Sequence, residues 1–135
     1  MAMPTSVINY SKFKSGKRQD LGDKYFRSRW EANWARYLEW MKGRGEIINW
    51  EYEIDTFEFP MKRGSRFYTP DFKVFENNGI IEYQEVKGYL DQKSATKLKR
   101  MKKYYPSIKI FLVDRGVYMS VLKGLSKIIP NWESE

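Results

Sequence analysis

Cysteine and histidine are both missing from this 135-residue chain. The first absence removes disulfides and thiolate metal sites. The second removes zinc fingers, imidazole general bases and every histidine-dependent nuclease chemistry. Whatever chemistry the chain performs must come from carboxylates, lysines, tyrosines and hydroxyls. Long apolar runs are also absent: none reaches the roughly 20 residues that cross a bilayer, and no apolar signal region follows Met1. A soluble intracellular protein with no membrane partner is expected.

What is present is positive charge and aromatic surface. Lys and Arg number 25 against 17 Asp and Glu, a formal charge of +8. Such an excess favours a polyanion, because each neutralised phosphate releases counterions; nucleic acid is the default partner, DNA ahead of RNA though no residue distinguishes them, and no small-molecule cofactor is expected. Aromatic residues make up 17% of the chain, five of them Trp. Most of these rings serve a core, and the length suits one domain.

Residues 1–27 are polar and basic, with Lys12, Lys14, Lys17, Arg18, Lys24 and Arg27 set against Asp20 and Asp23. Without an apolar period they read as a flexible arm, and either DNA contact or plain terminal disorder explains it. Residues 28–130 form the domain and 131–135 a tail. Trp30, Trp34, Tyr37, Leu38 and Met41 recur at helical spacing from Arg29 to about Lys42. Ser28 and Glu31 make an S-x-x-E cap at its start, and Gly43 and Gly45 end it.

Strand-forming residues then run from Ile47 to Phe59, from Phe67 to Glu76 and from Ile80 to Lys87. Asn77-Asn78-Gly79 between the last two marks a hairpin. A helix is expected from Asp91 to Tyr105, stopped by Pro106, then a buried strand from Ile108 to Val113 and a last helix from Val117 to Ile129. The order α-β-β-β-α-β-α defines an α/β fold, a mixed β-sheet flanked by helices.

The informative residues are Pro70-Asp71 in one strand and Glu85-Val86-Lys87 in the next. If 77–79 is a three-residue loop, paired positions sum to 156 and Asp71 lies opposite Glu85 on the same face. Lys87, two residues on, returns to that face. A two-residue turn would instead set Asp71 against Val86 and demand a bulge. Two carboxylates beside an ammonium suit a hard cation such as magnesium, with manganese able to substitute and the Val86 carbonyl as an extra ligand. A cation there neutralises charge on a phosphodiester and activates water; Lys87 orients that water or offsets developing charge. Glu31 borders the core side of its helix. Its residue context alone leaves two roles open, completing the cap with Ser28 or joining this site.

Two basic groups surround these residues. Lys62, Arg63 and Arg66 fill the loop before the Asp71 strand, and Lys93, Lys97 and Arg100 form one stripe on the second helix. Both are candidates for DNA phosphate contact, the stripe also explicable as a solvated helix face.

Phe26-Arg27-Ser28 leading to Glu31, Tyr68-Thr69-Pro70-Asp71-Phe72 and Glu85-Val86-Lys87-Gly88 together resemble the PD-(D/E)XK nuclease superfamily, most nearly phage endonucleases including the endonuclease-I-type Holliday junction resolvases. The resemblance spans about Phe26 to Val113. It implies a restriction-endonuclease-like core, Asp71 and Glu85 as metal ligands, Lys87 as the catalytic lysine and Glu31 as the helix carboxylate reaching the same site. It also implies a magnesium-dependent endodeoxyribonuclease, active in the cytoplasm of a bacterial host if phage-encoded, and ranks a junction-resolving or nicking enzyme above a sequence-specific restriction enzyme. Paired cuts at a junction predict a homodimer. A non-catalytic nucleic-acid-binding protein on the same fold is the competing expectation.

Overall fold

The computed structural model describes residues 15–134. Twelve residues into that span the chain has already turned back on itself. Strand β1 (Gly16–Arg18) pairs antiparallel with β2 (Lys24–Phe26) across a single 3-10 turn. The flexible arm expected here is therefore a packed hairpin over its described part. Leu21 and Phe26 are buried, and Asp20 receives both Nε and Nη2 of Arg36 at 2.8 and 2.9 Å. Two apolar residues, this bidentate ion pair and the Arg18–Glu133 pair dock a segment whose composition reads as solvated. Lys12 and Lys14 lie outside the described residues.

Helix α1 (Arg29–Gly43) starts where Ser28 Oγ accepts the Glu31 backbone N–H at 3.1 Å. It buries Ala32, Trp34, Ala35 and Leu38 against the sheet. The sheet itself is four-stranded: β3 (Ile47–Tyr52), β6 (Phe72–Glu76), β7 (Ile81–Val86) and β8 (Lys109–Val113), in that spatial order. The first two pairings are antiparallel and β7 runs parallel to β8, so the sheet is mixed. Helices α2 (Gln92–Tyr104) and α3 (Arg115–Leu125) begin at Asp91 and Asp114, each of which accepts an N–H from three residues on.

Two cores cover the two faces of the sheet. Phe72, Val74 and Val86 pack with α1 and with Tyr118 of α3. On the other face a smaller ribbon, β4 (Phe57–Glu58) with β5 (Phe67–Tyr68), joins Met101 and Leu98 of α2 around Phe59 and Tyr68. The molecule is thus a mixed sheet flanked by helices.

Several boundaries differ from the sequence expectation. The long run Phe67 to Glu76 is cut in two, because Pro70 has no N–H for a ladder and the chain passes from the ribbon to the central sheet there. Asp71 consequently sits just before β6 rather than within a strand. The Ile47 to Phe59 run likewise divides at 53–56, where Glu53 takes a φ of 50°. The last helix ends at Leu125 rather than Ile129. Within residues 131–134, Asn33 Nδ2 donates to the Glu133 carbonyl and Glu133 N donates to Asn33 Oδ1, both at 2.9 Å.

Candidate metal and phosphate site

Register decides what meets what. Across β6 and β7 the pairs are Phe72 with Gln84, Lys73 with Tyr83, Val74 with Glu82 and Phe75 with Ile81, all summing to 156. The three-residue turn is the reason: Glu76 N donates to Ile80 O at 2.9 Å, and Gly79 closes the loop at a φ of 85° that glycine adopts without strain. Continuing this register brings Asp71 to Glu85, as the three-residue alternative requires. Asp71 N donates to Glu85 Oε1 at 3.3 Å, and Val86 N donates to Asp71 Oδ2 at 2.8 Å. Val86 therefore enters the site through its N–H, while its side chain belongs to the core.

Both carboxylates are nearly sealed, Asp71 at 2% exposure and Glu85 at 8%. Burial raises the pKa of Asp71 well above its ordinary value, and the charges of Glu85 and then Glu31 push the same way. Glu85 is also raised by burial, against the opposing pull of the Tyr68 hydroxyl, the Asp71 N–H and the Lys87 charge. Carboxylates so placed favour either a proton or a cation.

Glu31 comes from the first turn of α1 and joins them. Its side chain does not fold back to Ser28; its Oε1 accepts the Tyr52 hydroxyl at 2.5 Å. The capping role thus belongs to Ser28 and the Glu31 backbone, leaving the carboxylate for the cluster. Tyr68 plays the matching part on the other sheet face, donating to Glu85 Oε1 at 3.0 Å. Burial raises both phenol pKa values, so each stays a donor.

Two residues of the site were not singled out by the sequence. Glu53 follows the β3–β6 ladder, and its N–H donates to the Asp71 carbonyl at 2.8 Å. Carboxylate oxygens of Glu31, Glu53 and Asp71 all lie within 4.8 Å of one another. The left-handed backbone at Glu53 is a strained conformation for a non-glycine residue, a feature common at functional sites. The other is Arg27, assigned by sequence to the arm, whose guanidinium contacts both Glu53 and Asp71. Its place directly before the cap of α1 was the available signal. Nothing in the sequence pattern foretells the turn that brings Glu53 round.

Lys87 is partly exposed and lies close enough to Glu85 to lower its pKa, yet makes no salt bridge among the described residues. Tyr83, which shares the Glu85 face, is drawn away to Asp55 at 2.5 Å. The two basic groups turn out to be neighbours: Arg100 Nη1 donates to the Ser65 carbonyl at 2.7 Å, joining α2 to the loop before β5. Arg66 pairs with Glu58 at 3.2 Å, whereas Lys62, Arg63 and Lys93 point to solvent and Lys97 is half-buried. Arg100 and Arg66 are committed within the fold, and the lysines and Arg63 are the more available cations.

The arrangement is a largely buried acidic cluster with Arg27 across two of its carboxylates and Lys87 beside Glu85. A family model described as a protein of unknown function, DUF1064, matches residues 10–120, and the chain belongs to that family. No curated protein and no solved structure matches it. No helix among the described residues is long and apolar enough to cross a membrane.

Proposed function

We propose that this chain is a metal-dependent DNA endonuclease of the PD-(D/E)XK type, its central sheet serving as the restriction-endonuclease-like core. The observation that carries the reading is the convergence of buried Asp71 and Glu85 through the 156 register, with Glu31 delivered to them from α1. The donor set fits a hard divalent cation, magnesium or manganese: all oxygen, mostly carboxylate, with burial leaving the charges under-compensated. When bound, such a cation supplies positive charge to a phosphodiester and acidifies a water molecule.

The chain's own residues do the remaining work. Asp71 and Glu85 hold the site from adjacent strands, and the Tyr68 and Tyr52 hydroxyls fix the orientation of Glu85 and Glu31. Lys87, with no salt bridge among the described residues, is placed to hold a phosphate oxygen or the attacking water. The Lys62, Arg63, Lys93 and Lys97 surface carries the DNA backbone to that point. A structure-specific substrate such as a junction or nick is favoured on the likeness of the Phe26–Glu31, Tyr68–Phe72 and Glu85–Gly88 motifs to phage endonucleases. Symmetric cutting of a junction would use two copies.

The test is incubation with a labelled four-way junction and a matched linear duplex, with and without magnesium, beside Asp71→Asn and Lys87→Ala. Magnesium-dependent cutting should fall by about 100-fold or more in both variants. Equal cutting of both DNAs keeps the nuclease and removes the junction preference. No cutting in magnesium or manganese sinks the proposal, and tight binding without cutting favours the non-catalytic alternative.

A further inference from the structure

We propose that Arg27 is a positioning residue that competes with a divalent cation for the carboxylates and turns to the substrate phosphate when displaced; this rests on the endonuclease reading. Oxygen accounting leads there. Asp71 Oδ2 already accepts the Val86 N–H, and Glu31 Oε1 accepts the Tyr52 hydroxyl. Asp71 Oδ1 and a Glu53 carboxylate oxygen are held by Arg27, Nη2 on Asp71 at 3.2 Å and Nη1 on Glu53, within the cluster that Glu31 also joins. A cation bound at the usual 2.0–2.6 Å or so from these oxygens and a guanidinium cannot share that space, and their charges repel.

Arg27 is also built to leave. Its side chain is 56% exposed, against 3% for Asp71 and 27% for Glu53, so the carboxylates are the more enclosed partners and its salt bridges among the described residues are to them. Its backbone lies between buried Phe26 and the Ser28 cap, which anchors the stem while the guanidinium swings. Lys87 also acts on Glu85, and among the described residues it bridges no pair of carboxylates. A freed guanidinium beside the cation site presents a planar fork that matches a phosphate. Phosphate and cation binding then assist each other, since anything that draws Arg27 away opens the carboxylates, and the coupling is reciprocal.

The experiment is calorimetric titration of the full chain with magnesium, and with calcium, for wild type, Arg27→Gln and Arg27→Lys, repeated in calcium with a short duplex DNA present. Competition predicts about tenfold tighter cation binding in Arg27→Gln and a smaller gain in Arg27→Lys, which keeps the positive charge but lacks the planar fork of the guanidinium. It also predicts that DNA strengthens calcium binding more in wild type than in Arg27→Gln. Should Arg27→Gln fail to fold, Arg27→Lys carries the same comparison. Unchanged or weaker cation binding in the variants while wild type binds overturns the competition and leaves the endonuclease reading intact. Binding by none of the three removes both, and binding by the variants alone supports competition.

Discussion

Asp71 carries the conflict of the site in one side chain: two hydrogen bonds hold it in place while burial and two neighbouring carboxylates oppose its charge. Its folded pKa is raised above the unfolded value, and that of Glu85 is raised as well. Proton uptake therefore favours the native state, and the stability of the metal-free chain falls as pH rises from the ordinary carboxylate range through the raised values. Asp71→Asn is expected to be more stable than wild type in chelator at neutral pH, by about 1 kcal/mol or a few degrees in Tm. That advantage should vanish near pH ~4, where both chains carry a neutral group. Thermal melts in EDTA across this range check it; a destabilised variant at neutral pH would mean that the Arg27 contact outweighs the repulsion. The residue scale was the most legible in sequence where spacing alone decides. Asp71, Glu85 and Lys87 follow from period two once the turn is taken as three residues, whereas the helix position of Glu31 left its role open between the cap and the cluster. Glu53 and Arg27 depend on a left-handed turn and on tertiary closure of the β1–β2 hairpin, which no local pattern encodes.

At the level of elements, the joint between β2 and α1 and the contacts of the C-terminal segment have opposite visibility. The Ser28 cap was readable, because a hydroxyl followed by the helical apolar stripe has a local cause. Ser28→Ala should cost about 1 kcal/mol, measured by denaturant titration, and weaken cation binding by misplacing Glu31. The docking of residues 16–26 and of Glu133 was hidden. It depends on Arg36 and Arg18 gathering Asp20 and Glu133 from positions far apart in sequence. The arginines hold the pKa values of Asp20 and Glu133 below their ordinary ones, against burial. This network stabilises the fold above the ordinary carboxylate range and is lost as pH falls through the depressed values, the reverse of the Asp71 effect. Glu133→Gln is expected to lower Tm at neutral pH and to match wild type in strong acid, a comparison that circular dichroism melts provide. The split of the Phe67 to Glu76 run was legible in hindsight only at Pro70; the length of the loop that follows β4 gave no sign that the two halves serve different sheets.

For the whole molecule, net charge and topology act together. Arg100 ties α2 to the loop that carries Lys62 and Arg63, so basic side chains from two segments border one side of the domain. Lys62→Ala with Arg63→Ala should weaken DNA binding alike on every sequence and reduce the slope of log affinity against log salt by about 2, as measured by fluorescence anisotropy. A slope left unchanged would place the DNA elsewhere. The mixed sheet flanked by helices was legible from the order of elements, whereas the separate β4–β5 ribbon was not. One contact links the two halves of the site from behind. An added Cβ on Gly88 would meet Cζ3 of Trp30 at 3.2 Å, and the Trp30 ring lies flat on Tyr118 with centroids 4.0 Å apart. Tyr118 in turn is 1% exposed and leans on Trp132. The ring therefore has nowhere to retreat. The thickness of one aromatic stack sets the gauge between the chain just after Lys87 and the helix turn bearing Glu31, so α3 acts as the spacer behind the site.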